Sequence, residues 1–483
     1  MRFLKNPIPR LRTNLHHNVQ IFRLQPLAEL SGSLGDLGTL LPLMTALVIT
    51  KSISLPSTLL FTGAANVFTG IAFGLPLPVQ PMKAIAAVAI AREFTMEENV
   101  AAGLVVAGIV GVLSITGLIN WTDRITPVPV VKGIQVGAGL SLCLSAGSSM
   151  LMPLTWTGPW WGDNFMWLVA AVVLLLLTFL YPRVPYALLV FSIGILLSLL
   201  APRDDNVTLP SPSPSDPTIP TLIPSLHDFW ISTTTASLGQ VPLTLLNSVI
   251  AASALSSDLL PSPPYPTAPT VTQLGLSVTT INLLGCWFGA MPSCHGSGGL
   301  AGQFRFGARS GSSIIFLGSI KFALGILAFW HSATIIDVLH HMPRSLLGIL
   351  VIAAGVELAK VGESVNTDAR DLRVLESGNG SGSDSGSGEC GGVWDGKQVK
   401  QLDERMRKER WMVMLVTIVA LLTFRNDAVG FVAGLVWHWA FEGVRRVEAW
   451  RERRDGRPFW RRVEHSGRES MRLLAHEESD TLA

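Results

Sequence analysis

Apolar runs close to the roughly 20 residues that a helix needs to cross hydrocarbon recur along most of this 483-residue chain, interrupted by Gly, Pro and short polar clusters. Read by length and breaker, they place spans at about 31–50, 55–73, 81–92, 99–119, 128–150, 164–181 and 185–201. A second set follows at about 240–258, 271–289, 298–308, 312–330, 345–359, 410–424 and 427–443. Each set has seven members, and in each the third is too short to cross as a full helix. Corresponding breaks precede the short members: Phe73-Gly-Leu-Pro-Leu-Pro-Val-Gln-Pro-Met-Lys83 and Phe288-Gly-Ala-Met-Pro-Ser-Cys-His-Gly-Ser-Gly-Gly299. The openings of the two sets also match, Ser33-Leu-Gly-Asp-Leu-Gly-Thr-Leu-Leu-Pro42 against Ser237-Leu-Gly-Gln-Val-Pro-Leu-Thr-Leu-Leu246. Because seven is odd, the second copy enters from the opposite side, which makes an inverted repeat with its site between two half-helices. The expected fold is therefore an all-α polytopic membrane protein of about 14 segments, a 7+7 inverted repeat with two half-helices meeting at the midplane. Its expected parts are an N-terminal cytoplasmic segment (1–30), a first membrane repeat (31–201) and an extracytoplasmic Pro/Ser-rich loop (202–239). A second repeat (240–443) holds a flexible cytoplasmic loop (362–408), and a basic cytoplasmic tail (444–483) ends the chain.

Composition agrees with the membrane reading. Charged residues make up 14% and mean hydropathy is +0.43, where a soluble domain carries about 25% charge. Cys143, Cys286, Cys294 and Cys390 form no CxxC pair, so no disulfide framework, metal site or cofactor is expected. Arg2, Lys5, Arg10, Arg12 and Arg23 at one end, and Arg445, Arg446, Arg451, Arg453, Arg454, Arg457, Arg461 and Arg462 at the other, place both termini in the cytoplasm. Between the halves, Asp204, Asp205, Asp216 and Asp228 face the single base Arg203, so that loop belongs outside or in a lumen, with a sequon at Asn206-Val-Thr208. The sequon Asn379-Gly-Ser381 falls on the cytoplasmic side and is expected to be silent. Ser377–Gly388 is rich in Ser and Gly and reads as a tether. The Arg- and Trp-bearing tail suits a helix along anionic membrane lipid, or a solvated one, and Glu469–Leu474 has the form of an acidic dileucine signal. Positive-inside bias explains the acid-free first 28 residues more simply than a transit peptide does. Plasma membrane and vacuolar membrane are both compatible, and no nucleic-acid partner is expected.

A backbone broken by Pro and Gly at membrane depth leaves polar groups that only a cavity or protein can satisfy. With Pro81 at the first helical position, the amides of Met82 and Lys83 are expected to point free out of the helix end, and Gly296, Gly298 and Gly299 allow close approach before the second half-helix. Two positive dipole ends would then hold a tetrahedral dianion. Lys83 either helps bind it or pairs with Asp36. Asp36 either carries a coupling proton or caps the helix from Leu37. His295 either carries a proton or is a structural donor. Gln80 donates to an oxyanion or caps its own helix, and Gln240 and Asn247 either donate or join helices. Arg305 and Arg309 answer to a helix C-terminus, and Glu357 with Lys360 to a local pair. Cys294 beside His295 lacks a third positioned group, so an enzyme is not expected. A scaffold protein would not require matched broken helices.

The stretches Pro76-Leu-Pro-Val-Gln-Pro-Met-Lys-Ala-Ile-Ala-Ala-Val-Ala89 and Phe288–Gly311 resemble the two signature motifs of the eukaryotic molybdate transporters, a branch of the SulP sulfate permease superfamily. The resemblance implies core and gate domains, no STAS domain, a homodimer, and high-affinity molybdate transport by a secondary active carrier. The alternative is a sulfate or broader oxyanion permease. Import of a dianion against about 2.3 kcal/mol per charge per 100 mV calls for cotransported protons or a comparable source. The candidate substrate set is Gln80, Pro81, Met82, Lys83, Cys294, His295, Gly296, Gly298, Gly299 and Gln240, with Asp36 and His295 as proton-coupling candidates.

Overall fold

The structure is a computed structural model that describes residues 7–156, 162–181, 184–201, 219, 221–367, 369, 371–372, 393–394, 397–398 and 402–455. Both sequons, the Ser/Gly tether, Asp204, Asp205, Asp216, Cys390 and the dileucine stretch lie outside the described residues. The first half holds α1 (Pro7–Leu24), α2 (Pro26–Ser33), α3 (Leu37–Ile49), α4 (Leu55–Phe73), strand β1 (Val79–Pro81) and the short α5 (Lys83–Arg92). It continues through α6 (Met96–Thr116), α7 (Leu118–Ile125), α8 (Val128–Ala146), α9 (Phe165–Leu180) and α10 (Tyr186–Leu200). In the second half α11 (Leu226–Ser232), α12 (Leu238–Leu243) and α13 (Ala252–Leu259) run on through two π-helical turns, followed by α14 (Val271–Gly285), β2 (Ser293–His295) and the short α15 (Ser297–Arg305). The chain then forms α16 (Ser312–His340), α17 (Arg344–Lys360), α18 (Glu404–Phe424) and α19 (Asp427–Asp455).

Among the described residues, eight helical stretches are long and apolar enough to cross a membrane, and α9 and α10 are apolar but shorter. The fold is thus a multi-pass helical one, coarser than the fourteen expected segments. Helix bounds differ from expectation at informative places. The helix expected from about 240 begins at Leu226, because Ser225 and Asp228 close a capping box, Asp228 N–H on Ser225 Oγ at 3.3 Å and Ser225 N–H on Asp228 Oδ2 at 2.7 Å. Asp228 is therefore a helix-start residue and not a loop acid. Downstream, α16 reaches His340 and α19 reaches Asp455, both beyond the expected 330 and 443.

Small residues bring the helices together where hydrocarbon offers no hydrophobic drive. Gly311, Gly318 and Gly325 recur every seventh residue along one face of α16 and its start, opposite Gly63 and Gly70 of α4. A Cβ on Gly311 would lie 2.2 Å from Gly70 O, one on Gly318 2.6 Å from Gly63 O, and one on Gly325 2.8 Å from Leu60 N. A second set fixes the break between α2 and α3, where Gly35 and Gly302 of α15 sit backbone to backbone, each Cβ position within 2.8 Å of the other's carbonyl oxygen. Among the described residues, one partly buried ion pair joins the halves, Lys132 Nζ of α8 to Asp258 Oδ2 of α13 at 2.5 Å.

Candidate anion site

The two halves end their second long helix in the same way. Gly74 closes α4 with φ +69°, and Gly289 follows α14 with φ +72°, a left-handed conformation in which glycine escapes a Cβ clash. Each chain then enters a strand, and the strands pair antiparallel with Val79 opposite His295, Gln80 opposite Cys294 and Pro81 opposite Ser293. An asparagine holds each strand. Asn66 Oδ1 on α4 accepts from Val79 N–H at 2.7 Å, while Asn282 on α14 accepts from Ser293 N–H at 2.8 Å and donates to Ser293 O at 2.6 Å. Because the strands run oppositely, α5 and α15 leave the ribbon in opposite directions with their N-terminal ends on either side of it.

These ends differ from the expected pair of open amide rings. Pro81 belongs to β1, Met82 is the N-cap, and α5 begins at Lys83. The Met82 N–H is not free: it donates to Pro292 O at 2.9 Å, an acceptor from the other half of the chain. Gln240 Oε1 accepts from Ala84 N–H at 2.9 Å and Ile85 N–H at 3.4 Å, and its Nε2 donates to Thr244 at 2.9 Å. Fully buried, Gln240 caps α5. At α15, Gly296 is the N-cap and the N–H groups of Ser297, Gly298 and Gly299 have no partner among the described hydrogen bonds. Ser297 Oγ donates to Asn247 Oδ1.

Gln80 lies across this opening. A Cβ on Gly296 would fall 1.6 Å from Gln80 Oε1, and one on Gly299 2.3 Å from Gln80 Nε2, so both glycines are required by the Gln80 amide. Its Nε2 donates to Asp36 Oδ1, which also accepts from Thr39 Oγ1 at 2.9 Å. Asp36 occupies the N-cap position of α3, yet its carboxylate takes no backbone N–H there; the capping alternative falls. Asp36 Oδ2 is buried with no partner among the described residues. Nor does Lys83 form an ion pair with Asp36 within 4.0 Å; its field is shared between Asp36, Cys294 and Asp427 of α19. Cys294 Sγ accepts from Ser248 at 3.1 Å, and His295 Nε2 bonds Ser277 Oγ at 2.9 Å with the ring edge-on to Phe73. Thiol and imidazole thus have separate partners. Arg309 donates to Phe304 O and Ala308 O at the C-terminal end of α15, and Lys360 pairs with Glu357 at 3.6 Å.

Two charged residues absent from the sequence reading lie close by, Asp427, which interacts with Lys83, and Lys321. Lys321 of α16 is 4% exposed, its Nζ has no partner among the described residues, and Asp36 is the group within its electrostatic reach. A lysine inside an apolar run is itself a signal, diluted in a hydropathy average by its neighbours. The same holds for Lys132.

Residues 28–142 and 232–358 match a family model described as molybdate transporter of MFS superfamily. The chain is 35% identical over 396 residues to Molybdate transporter 1 of Arabidopsis thaliana, covering 74% of this chain and 83% of the relative. To Molybdate transporter 2 of Arabidopsis thaliana it is 36% identical over 389 residues, covering 72% and 81%. Among solved structures it is similar to murine Solute Carrier 26 family member A9, an anion transporter in the inward-facing state, with TM-score 0.51 and 12% identity over 88% of this chain and 72% of that one; this likeness concerns the fold alone.

Proposed function

The chain belongs to the molybdate transporter family, and on that footing we propose that it carries molybdate across its membrane as a proton-coupled secondary active transporter working by alternating access. The observation that carries this reading is the ribbon β1–β2 with a half-helix N-terminus on each side of it, three unpaired amides at α15, and Gln80 between them. An amide end of this kind favours a tetrahedral dianion through hydrogen bonds and dipole together. The proposed contacts are the N–H groups of Gly298 and Gly299, the Gln80 amide, and the Lys83 ammonium with its unpaired N–H. Gly296 keeps the backbone clear of Gln80, Cys294 and His295 line the ribbon from β2, and Pro81, Met82 and Gln240 shape α5. Asp36 is the proposed proton carrier.

The matched local builds of α4–β1–α5 and α14–β2–α15 support a 7+7 inverted repeat, with residues 31–201 and 240–443 as its halves and both termini in the cytoplasm. A carrier that moves a dianion inward against a negative-inside potential needs about 2.3 kcal/mol per charge per 100 mV, which a proton per charge offsets. Sulfate is the competing substrate, being of the same shape and charge.

The test is uptake of labelled molybdate at nanomolar concentration, with and without excess sulfate, in cells lacking their own molybdate transporter. Saturable uptake that resists sulfate, and that Gly296→Ala abolishes at normal surface level, is expected. Uptake erased by sulfate supports the broader permease, and none from a surface-localised chain refutes import at that membrane.

A further inference from the structure

An ionised carboxylate can only accept hydrogen bonds, and this constrains the amide beside it. Asp36 Oδ1 takes the Thr39 hydroxyl and Gln80 Nε2. With Nε2 committed to Asp36, Oε1 becomes the end of the Gln80 amide that lies against Gly296, the N-cap of α15. A carbonyl oxygen at that spot opposes an incoming oxyanion. Within electrostatic reach of Asp36 stands the buried Nζ of Lys321, which, like Asp36 Oδ2, has no partner among the described residues. The charged groups around the pair are few. Asp36 faces Lys321 and Lys83, and Lys83 in turn faces Asp427 of α19. Of the elements packed on α16, α4, α10 and the body of α3 carry no charged residue. On α2, Glu29 is spent on the Arg309 and Ser313 N–H groups and the Ser312 hydroxyl, and α1 meets Gly311, the N-cap of α16, through Asn18.

We propose that Lys321 is a positioning residue of the anion site: it holds Asp36 ionised in the empty carrier and, through Asp36, sets which end of the Gln80 amide faces Gly296, the N-cap of α15, and which faces Gly299. A proton taken from water onto Asp36 turns its oxygen into a donor. The Gln80 amide then rotates by half a turn, Oε1 accepts from Asp36, and Nε2 comes to face Gly296, where it donates to the oxyanion. Only an O–H bond forms, and it breaks when the proton leaves on the other side. Lys321 decides at what acidity this happens, because its positive charge opposes protonation of Asp36. The inference rests on the carrier reading and deepens it, since proton and anion meet at one amide.

The test uses the full chain in proteoliposomes, with the KM for labelled molybdate measured across pH. In the wild type KM should fall toward acid. In Asp36→Asn, whose introduced amide can donate to Gln80 permanently, KM should be independent of pH and near the acid limit of the wild type. In Lys321→Met the midpoint should move to higher pH by at least about one unit, and Lys321→Arg should restore it. Asp36→Asn/Lys321→Met should show no midpoint. A wild-type midpoint in Lys321→Met overturns the assignment, as does a pH-dependent KM in Asp36→Asn. If Lys321→Met fails to reach the membrane, rescue by Asp36→Asn supports the pairing and failure of rescue overturns it. Absence of molybdate uptake by the wild type at every pH instead refutes the carrier reading and takes this inference with it.

Discussion

Replacing Gly318 by Ala tests whether the glycine face of α16 positions the site as well as the helices. The added Cβ would lie 2.6 Å from Gly63 O and 2.9 Å from both Asn66 Cβ and Val67 N, against ordinary contacts that begin at 3.4 Å. Two of these three are backbone atoms of α4 and cannot rotate away, so the helices must part by about 0.8 Å. Overpacking of this kind costs about 1–3 kcal/mol. Asn66 is the residue that holds β1 through Val79 N–H, and loosening that bond adds about 0.5–1.5 kcal/mol. The comparison is Gly108→Ala on α6, where a Cβ meets nothing within 4 Å and the change should be neutral or stabilising by up to about 1 kcal/mol from helix propensity. Thermal unfolding in detergent, followed by loss of the monodisperse peak, should place Gly318→Ala several degrees below wild type and Gly108→Ala at or above it. Molybdate KM should rise in the former alone. Equal stability of the two variants would refute the close-packing argument, and an unchanged KM in a destabilised Gly318→Ala would refute the link through Asn66.

Removing one member of the pair between α8 and α13 should cost about 3–5 kcal/mol for Asp258→Ala, which strands the buried Lys132, and less for Lys132→Ala, because Asp258 keeps a further interaction, while replacing both by apolar residues should cost less than Asp258→Ala; a double-mutant cycle on detergent stability measures the difference. Gln240→Ala should leave the Ala84 and Ile85 amides unpaired at about 1–3 kcal/mol, seen as faster hydrogen exchange in the first turn of α5, with Gln240→Glu retaining protection because its carboxylate still accepts. Gly74→Ala should lose about 1–2 kcal/mol from the left-handed φ of +69° alone, with further crowding against Asn14 and Pro266 at 3.1 Å, read as a lower unfolding temperature.

The parts of this fold legible in the sequence are those that depend on neighbours along the chain. Pro and Gly at 74–81 and 289–296 disfavour helix, so the breaks before the short third members follow from local sterics, whereas the pairing of those breaks into the ribbon β1–β2 is a contact across the chain. Helix ends set by contacts across the chain were not legible. Proline suits the first position of a helix, which made Pro81 a reasonable start for α5. But a residue without an N–H also suits a strand position where none is required, and the acceptor that decides the matter, Pro292 O bonding Met82 N–H, lies more than 200 residues away. Lys321 was missed for the opposite reason, since the signal was local but was averaged away by the apolar residues around it.

The same cross-chain contacts make the site asymmetric. Two equivalent half-helices would offer a dianion two open rings of amides, yet Gln240 has already taken two N–H groups of α5 and Pro292 a third just before it. At α15 the glycines leave the corresponding amides without partners among the described residues, and the polar side chain pressed against them, Gln80, comes from the other half of the chain, as do the apolar Pro78 and Leu142. Free hydrogen-bond donors are therefore concentrated at α15, while α5 contributes its dipole and the Lys83 ammonium. A carrier must release what it binds, and a dianion gripped by two complete amide rings would leave slowly because each escape step would strip both at once. In the proposed carrier, with one ring closed by the protein's own glutamine, the remaining grip is shared by the α15 amides and Gln80, and Gln80 is the donor whose orientation the Asp36 carboxylate would set.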